Sequence, residues 1–242
     1  MIYKNSAVTI YFGNAADKLY KDEYQALDKT QPLLKQQKFA HLSYLMGINN
    51  LIFMNQIHSN NGISASEEQR NISSFKTEGD FLITQEKTLG IGIMTADCLP
   101  VLLHDSRNNA IGAVHAGWRG SVSQIILRAI DAMRSAYNTH ATDLNIYFGP
   151  AAHACCYEVG DDFLKNISTF PFADQLIKEK NEKLFFDIIA CNRLQLEQLG
   201  IQATQINTTY SQCTIENNSF FSHRRMPTGS GRQMSVIALN NN

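Results

Sequence analysis

Between residues 81 and 115 the chain sets four apolar runs one after another with only short polar breaks: 81–84, 89–95, 99–104 and 110–115. Each is the length of a strand, and the second alternates large with small side chains. They read as three close strands followed by a fourth. The fourth ends in Ala116-Gly117-Trp118-Arg119-Gly120, and a helix is expected to start at Ser121 as its N-cap. Val122, Ile125, Ile126, Ala129, Ile130 and Met133 then recur at the i, i+3, i+4, i+7 spacing of one buried helical face.

The remaining pattern is of the same mixed kind. Residues 51–57 read as a strand entering a polar stretch, 59–76, that forms a long loop. Residues 145–148 read as a strand ending at Gly149-Pro150, and 161–167 and 187–199 as helices, the second closed by Gly200. Phe220 and Phe221 precede a basic turn, 235–239 reads as a last strand, and 240–242 as a loose tail. The sequence holds no internal repeat, low-complexity segment or proline-rich linker. The expectation is one layered α/β or α+β domain over residues 1–242.

Twenty-one Lys and Arg face twenty-two Asp and Glu, which argues against nucleic-acid binding by bulk charge. No apolar run approaches the ~18–20 residues that span a bilayer, so no membrane association is expected. The N-terminal residues lack a signal-peptide layout, and the five cysteines are odd in number and not spaced as a disulfide framework. Both point to a cytoplasmic protein, and the sequon at Asn71 carries no meaning there. A monomer is the default.

Phosphate loops, dinucleotide fingerprints, nucleophile elbows and the zinc nucleobase-deaminase signature are all absent from the sequence. There is also no His-x-His pair, which leaves too few ligands for a multi-copper centre. What remains are three segments that each place a metal ligand where a strand meets a loop: Asn55-Gln56-Ile57-His58, Thr95-Ala96-Asp97-Cys98-Leu99-Pro100 and Ala113-Val114-His115-Ala116-Gly117-Trp118-Arg119-Gly120. Two imidazoles and one thiolate suit Zn²⁺, and three protein ligands leave a fourth position open, the catalytic arrangement.

The segments QIH, TADCLPVLL, AVHAGWRG, CCYEVG and FFSHRR, in this order, resemble the bacterial YfiH family, whose members have been called laccase-domain proteins, polyphenol oxidases and purine nucleoside phosphorylases. The resemblance runs over about residues 55–239. Two departures stand out. Ile10-Tyr11-Phe12-Gly13-Asn14 occupies the place of a Thr-Arg-x-Gly-Gly-type segment, and Gly149-Pro150-Ala151-Ala152 the place of Gly-Pro-Cys-Ile. The resemblance implies an α+β fold, an α/β/β/α layered sandwich. It implies zinc held by His58, Cys98 and His115. It also implies phosphorolysis of adenosine, inosine, guanosine and methylthioadenosine, with hydrolytic deamination of adenosine. Some members have been linked to editing of peptidoglycan precursors.

Each candidate has a functional and a structural reading. Cys98 is a zinc ligand, a nucleophile with His115 as base, or a buried free thiol. Arg119, beside the expected helix start, holds phosphate or substrate, or makes a structural ion pair. Trp118 stacks on a purine or packs in the core. Asp80 binds substrate, and either Asp80 or Asp97 orients a metal-bound histidine or moves a proton, while the structural reading of Asp80 is a turn carboxylate before a strand. Arg224 and Arg225 bind an anion or are solvated, and Glu158 is a weaker candidate. His104, His140 and His153 read as structural. The competing functions are an amide hydrolase, zinc-dependent or built on Cys98, a copper-type polyphenol oxidase, and a non-enzymatic zinc module with Cys213 or Cys155 as fourth ligand.

Overall fold

A computed structural model describes residues 1–20, 22, 27, 31–65 and 74–240. Two sheets lie face to face. The first contains β1 (Ile2–Lys4), β2 (Val8–Phe12), β3 (Asn50–Phe53), β6 (Leu89–Thr95) and β14 (Gln233–Leu239) in the order β1-β2-β14-β6-β3. The second contains β4 (Gly62–Ser64), β5 (Phe81–Thr84), β7 (Leu99–Asp105), β8 (Ala110–Ala116), β9 (Leu144–Phe148) and β13 (Ile206–Asn207) in the order β13-β9-β7-β8-β5-β4. A small outlying sheet is made of β10 (Glu158–Val159), β11 (Ile177–Lys180) and β12 (Lys183–Phe186).

The period of two in the strands sorts their side chains between layers. Ile10, Ile91, Ile93 and Ile237 from the first sheet meet Leu82, Leu102, Ile111 and Ala113 from the second. The outer face of the first sheet, with Leu51, Phe53, Met94 and Val236, is covered by helix α1 (Ala40–Met46). The outer face of the second, with Ile83, Val101, Leu103 and Val114, is covered by α3 (Ile125–Tyr137) and α6 (Ile188–Gln198). Shorter helices are α2 (Trp118–Val122), α4 (Asp161–Ile167) and α5 (Ala173–Leu176). The layering is the expected α/β/β/α.

The alternation in β6 is explained by this packing. Its Leu and Ile side chains point between the sheets, while a Cβ at Gly92 would meet the Phe53 ring at 2.5 Å.

Several local expectations are corrected. The three close strands do not share one sheet: β6 lies in the facing sheet, between β14 and β3. The strand at 51–57 stops at Phe53, and part of the 59–76 loop is strand β4; residues 66–73 of that loop, with the Asn71 sequon, lie outside the described residues. Ser121 caps no helix. Gly117 is the N-cap of α2, and Gln124, with φ +61°, separates α2 from α3. The Ser121 side chain is fully buried and its Oγ accepts a hydrogen bond from Asn192 Nδ2 of α6 at 2.9 Å. Asn240 is not loose: its N–H donates to Ala7 O at 2.8 Å and its Nδ2 to Asn5 O at 2.7 Å; 241–242 lie outside the described residues.

Candidate metal centre and arginine-lined cavity

The three ligand-bearing segments come from both sheets and meet at one end of the sandwich. His58 lies in the connection after β3, Cys98 in the turn between β6 and β7, and His115 in β8. Their donor atoms all lie within 4.8 Å of one another. Cys98 Sγ is 3.8 Å from His58 Nε2, and the two imidazole rings are 4.8 Å apart between centroids and steeply inclined.

Asp80 organises this group from beneath. It is fully buried just before β5, and its Oδ1 lies 2.7 Å from His115 Nδ1 and accepts from the His58 N–H at 3.0 Å. Its Oδ2 accepts from the Ser59 N–H at 2.6 Å and the Ser59 hydroxyl at 2.8 Å. One carboxylate therefore fixes the His115 ring, leaving Nε2 for Cys98 or a metal, and shapes the loop that presents His58. That loop is tight, and His58 itself adopts φ +60°. Gly117 allows the close approach: a Cβ there would stand 3.0 Å from His58 Cδ2 and 3.1 Å from Cys98 Sγ.

The charges follow from the packing. Burial opposes ionisation of Cys98, but His115 and His58 outweigh it and bring the thiol down to about 6. Burial likewise opposes the charged form of His115, yet Cys98 and Asp80 raise it to about 9. Asp80 is held below the usual carboxylate range despite its burial, by His115 and the Ser59 hydrogen bonds. In the protein alone, thiolate and imidazolium stabilise each other. Two imidazoles and a thiolate, with one imidazole held by a carboxylate, also form a donor set that fits Zn²⁺.

The centre opens onto a cavity of about 590 Å³, the size of a small-molecule site. Arg119, Arg224 and Arg232 line it, with His223 and Tyr157. The Arg119 guanidinium lies 4.5 Å over the Trp118 ring, and that of Arg224 lies 5.2 Å over the Tyr157 ring. Arg224 also donates to Glu158 O at 2.5 Å. Planar cations held on aromatic faces are suited to phosphate recognition.

Other candidates have different positions. Asp80, expected to bind substrate, is fully buried against His115 and is not among the residues that line the cavity. Asp97, at φ +85°, accepts from the Thr214 hydroxyl at 2.7 Å and the Arg224 N–H at 2.6 Å. Trp118, half-buried at the cavity, packs edge-on against Phe163 and lies beneath Arg119. Arg225 is engaged by the carbonyls of Thr214, Ile215 and Phe220. Glu158 pairs with Lys183 at 2.9 Å. His104 is buried, His140 exposed, and His153 Nε2 lies 3.0 Å from Ser211 Oγ. Cys155 and Cys213 do not complete the His58–Cys98–His115 group; they belong to a separate cluster. Sequence reasoning missed Arg232, although Gly229-Ser230-Gly231 marks a turn that delivers it just before β14.

No helix among the described residues is long and apolar enough to cross a membrane. A family model described as multi-copper polyphenol oxidoreductase laccase matches residues 23–240. A protein of Clostridium acetobutylicum named purine nucleoside phosphorylase is 34% identical over 66% of this chain, an alignment that spans 66%, about two thirds, of that relative's length. A protein of an unknown prokaryotic organism named adenosine deaminase RL5 is 33% identical over 65% of this chain and 61% of its own. The crystal structure of the hypothetical protein YfiH of Bacillus licheniformis superposes with a TM-score of 0.79 at 25% identity, covering 96% of this chain and 93% of that one.

Proposed function

The chain belongs to the family described as multi-copper polyphenol oxidoreductase laccase, and on that premise we propose that it is a zinc-dependent purine nucleoside phosphorylase. Its substrates are adenosine, inosine, guanosine and methylthioadenosine with phosphate, and it also deaminates adenosine. The reading places it in the cytoplasm as a monomer. The observation that carries it is the meeting of His58, Cys98 and His115 with an arginine-lined cavity at one sheet end. The names of the relatives point the same way.

His58, Cys98 and His115 would hold the zinc, which supplies Lewis acidity for activating an oxygen nucleophile near neutral pH. Asp80 acts on His115: it keeps the ring oriented and holds a proton at Nδ1, so that Nε2 faces the metal. Arg119 and Arg224 provide the fixed positive charge that a phosphate dianion needs, and their aromatic supports leave fewer rotamers to be frozen on binding. Arg232 adds a third guanidinium on the wall. Positioning and charge stabilisation do most of the work in such a transfer.

The test is metal analysis of wild type and Cys98→Ala with product analysis of adenosine incubated with and without phosphate. The expected outcome is zinc at His58–Cys98–His115, lost in the variant together with adenine, hypoxanthine and inosine formation. Protein with zinc in that site that leaves adenosine and inosine untouched in phosphate overturns the reading. Copper in the site instead would favour the polyphenol oxidase of the family description, since a His₂Cys set also accepts that metal.

A second reading has a geometric motive of its own. Cys98, His115 and Asp80 stand in the order nucleophile, base and orienting carboxylate. An amide hydrolase would use them without metal. Retention of activity on a muramyl-peptide precursor after zinc removal, with nucleosides inert, would establish it.

A further inference from the structure

A second group of soft donors lies outside this centre. Cys155 and Cys156 are in the turn after β9, and Cys213 and Glu216 are in the loop between β13 and β14. A parallel bridge between Ala151 and Cys213 joins the two loops. It is closed by the Ala151 N–H donating to Gln212 O at 3.0 Å and the Thr214 N–H donating to Ala151 O at 2.9 Å. This pairing brings three sulfur atoms and one carboxylate oxygen within 4.8 Å of one another, with Cys155 Sγ 3.7 Å from Glu216 Oε2.

We propose that Cys155, Cys156, Cys213 and Glu216 form a second zinc site, structural in kind, that fastens together two loops of the cavity wall. A tetrahedral ion with Zn–S bonds of about 2.3 Å sets its sulfur atoms roughly 3.8 Å apart, so donors already within 4.8 Å need to close by about an ångström. Three thiolates select a thiophilic ion over Mg²⁺ or Ca²⁺. Four protein donors fill the tetrahedron and leave no position for substrate, unlike the three-donor centre. Cys155 and Glu216 are exposed, which gives the ion a way in.

The place of the site gives it a consequence. Tyr157, which follows Cys156, supports Arg224, and Thr214, which follows Cys213, donates to Asp97 beside Cys98. The ion would therefore act on the cavity by position, without touching a substrate.

The experiment is zinc counting on the full chain, stripped with chelator under reducing conditions, reloaded with Zn²⁺ and freed of excess. About two ions per chain are expected in wild type, about one in Cys98→Ala, and about one in Cys155→Ser or Cys213→Ser. With Co²⁺ in place of zinc, Cys98→Ala should keep a thiolate-to-cobalt absorption that Cys98→Ala/Cys155→Ser loses. Because Cys155 is exposed, its variant keeps the test decisive if buried Cys213 proves necessary for folding. One zinc in wild type and none in Cys98→Ala overturns the proposal. So does an ion in Cys98→Ala that survives Cys155→Ser, or a disulfide among these three cysteines in protein purified with reductant. These readouts need no turnover, so they are independent of the proposed reaction.

Discussion

Two buried aspartates flank the candidate centre and do opposite jobs. Asp80 faces inward, collecting His115 Nδ1, three backbone N–H groups of the His58 loop and the Ser59 hydroxyl. Asp97 faces the other way, tying the turn that carries Cys98 to Thr214 and Arg224 on the cavity wall. Both precede a strand, and sequence reasoning offered both for orienting a metal-bound histidine or moving a proton. Their donors separate them: Asp80 sets the candidate ligands His58 and His115, and Asp97 holds the backbone of Arg224. A buried carboxylate takes its function from which loops supply its hydrogen bonds.

The largest expected effect is that of Asp80→Ala, which leaves the loop donors and His115 without an acceptor. A loss of about 3–5 kcal/mol in urea unfolding is expected, the cost of breaking a buried pair, with zinc affinity falling as well. Next comes Asp97→Asn, which keeps one acceptor but sets an amide N–H₂ against the Thr214 or Arg224 donor. A loss of about 1–3 kcal/mol is expected, with zinc retained and the KM for phosphate raised. If Asp97→Asn loses zinc as readily as Asp80→Ala, the division of labour between the two fails.

Gly117→Ala is the third test. Its methyl would press on His58 and Cys98 at 3.0–3.1 Å, so a zinc affinity weakened about tenfold is expected with little change in unfolding, as for a disturbed ligand support. The smallest effect is read by pH. In zinc-free protein the Cys98 thiol is depressed from 9.0 to about 6, so its alkylation rate should rise through pH 6 rather than near pH 9. Asp80→Asn removes the carboxylate that favours His115 in its charged form, so the inflection should move up; Asp97→Asn should leave it in place. An unmoved inflection in Asp80→Asn would show that Asp80 does not govern the pair.

Much of this was legible in the residues. The apolar runs from 81 to 115 mark strands because one face or both must be buried, and they appear as β5, β6, β7 and β8. The buried face of α3 follows the spacing of Ile125, Ile126, Ala129, Ile130 and Met133. His58, Cys98 and His115 stand out because soft donors at strand ends are chemically conspicuous. Periodicity, however, says which face is buried and not which strand is the neighbour, so the crossing of β6 to the other sheet was hidden. The spacing from Val122 to Met133 runs through the break at Gln124, so it disguised two helices as one. Strand β2 did carry a signal, since Val8, Ile10 and Phe12 alternate and all three are buried. Asp80, Cys155 and Cys213 were candidates from their residue types, but the loops that Asp80 ties together and the meeting of Cys155, Cys156, Cys213 and Glu216 depend on segments distant in sequence, which no local pattern announces.

The position of β14 bears on how the molecule is made. It sits between β2 and β6, pairing Val236 with Tyr11 on one side and with Gly92 on the other. The last of the described strands is thus an interior member of its sheet. On a ribosome, β2 and β6 emerge long before their shared partner and present open edges until it arrives. That is a long-range pairing of the slow kind, and it leaves a growing chain open to edge-to-edge association. Arg224 and Arg232 also lie in this final stretch of sequence. Synthesis therefore brings the arginine-lined wall into place only as the sheet closes, and a chain truncated before β14 would keep both arginines but lack the strand that joins β2 to β6.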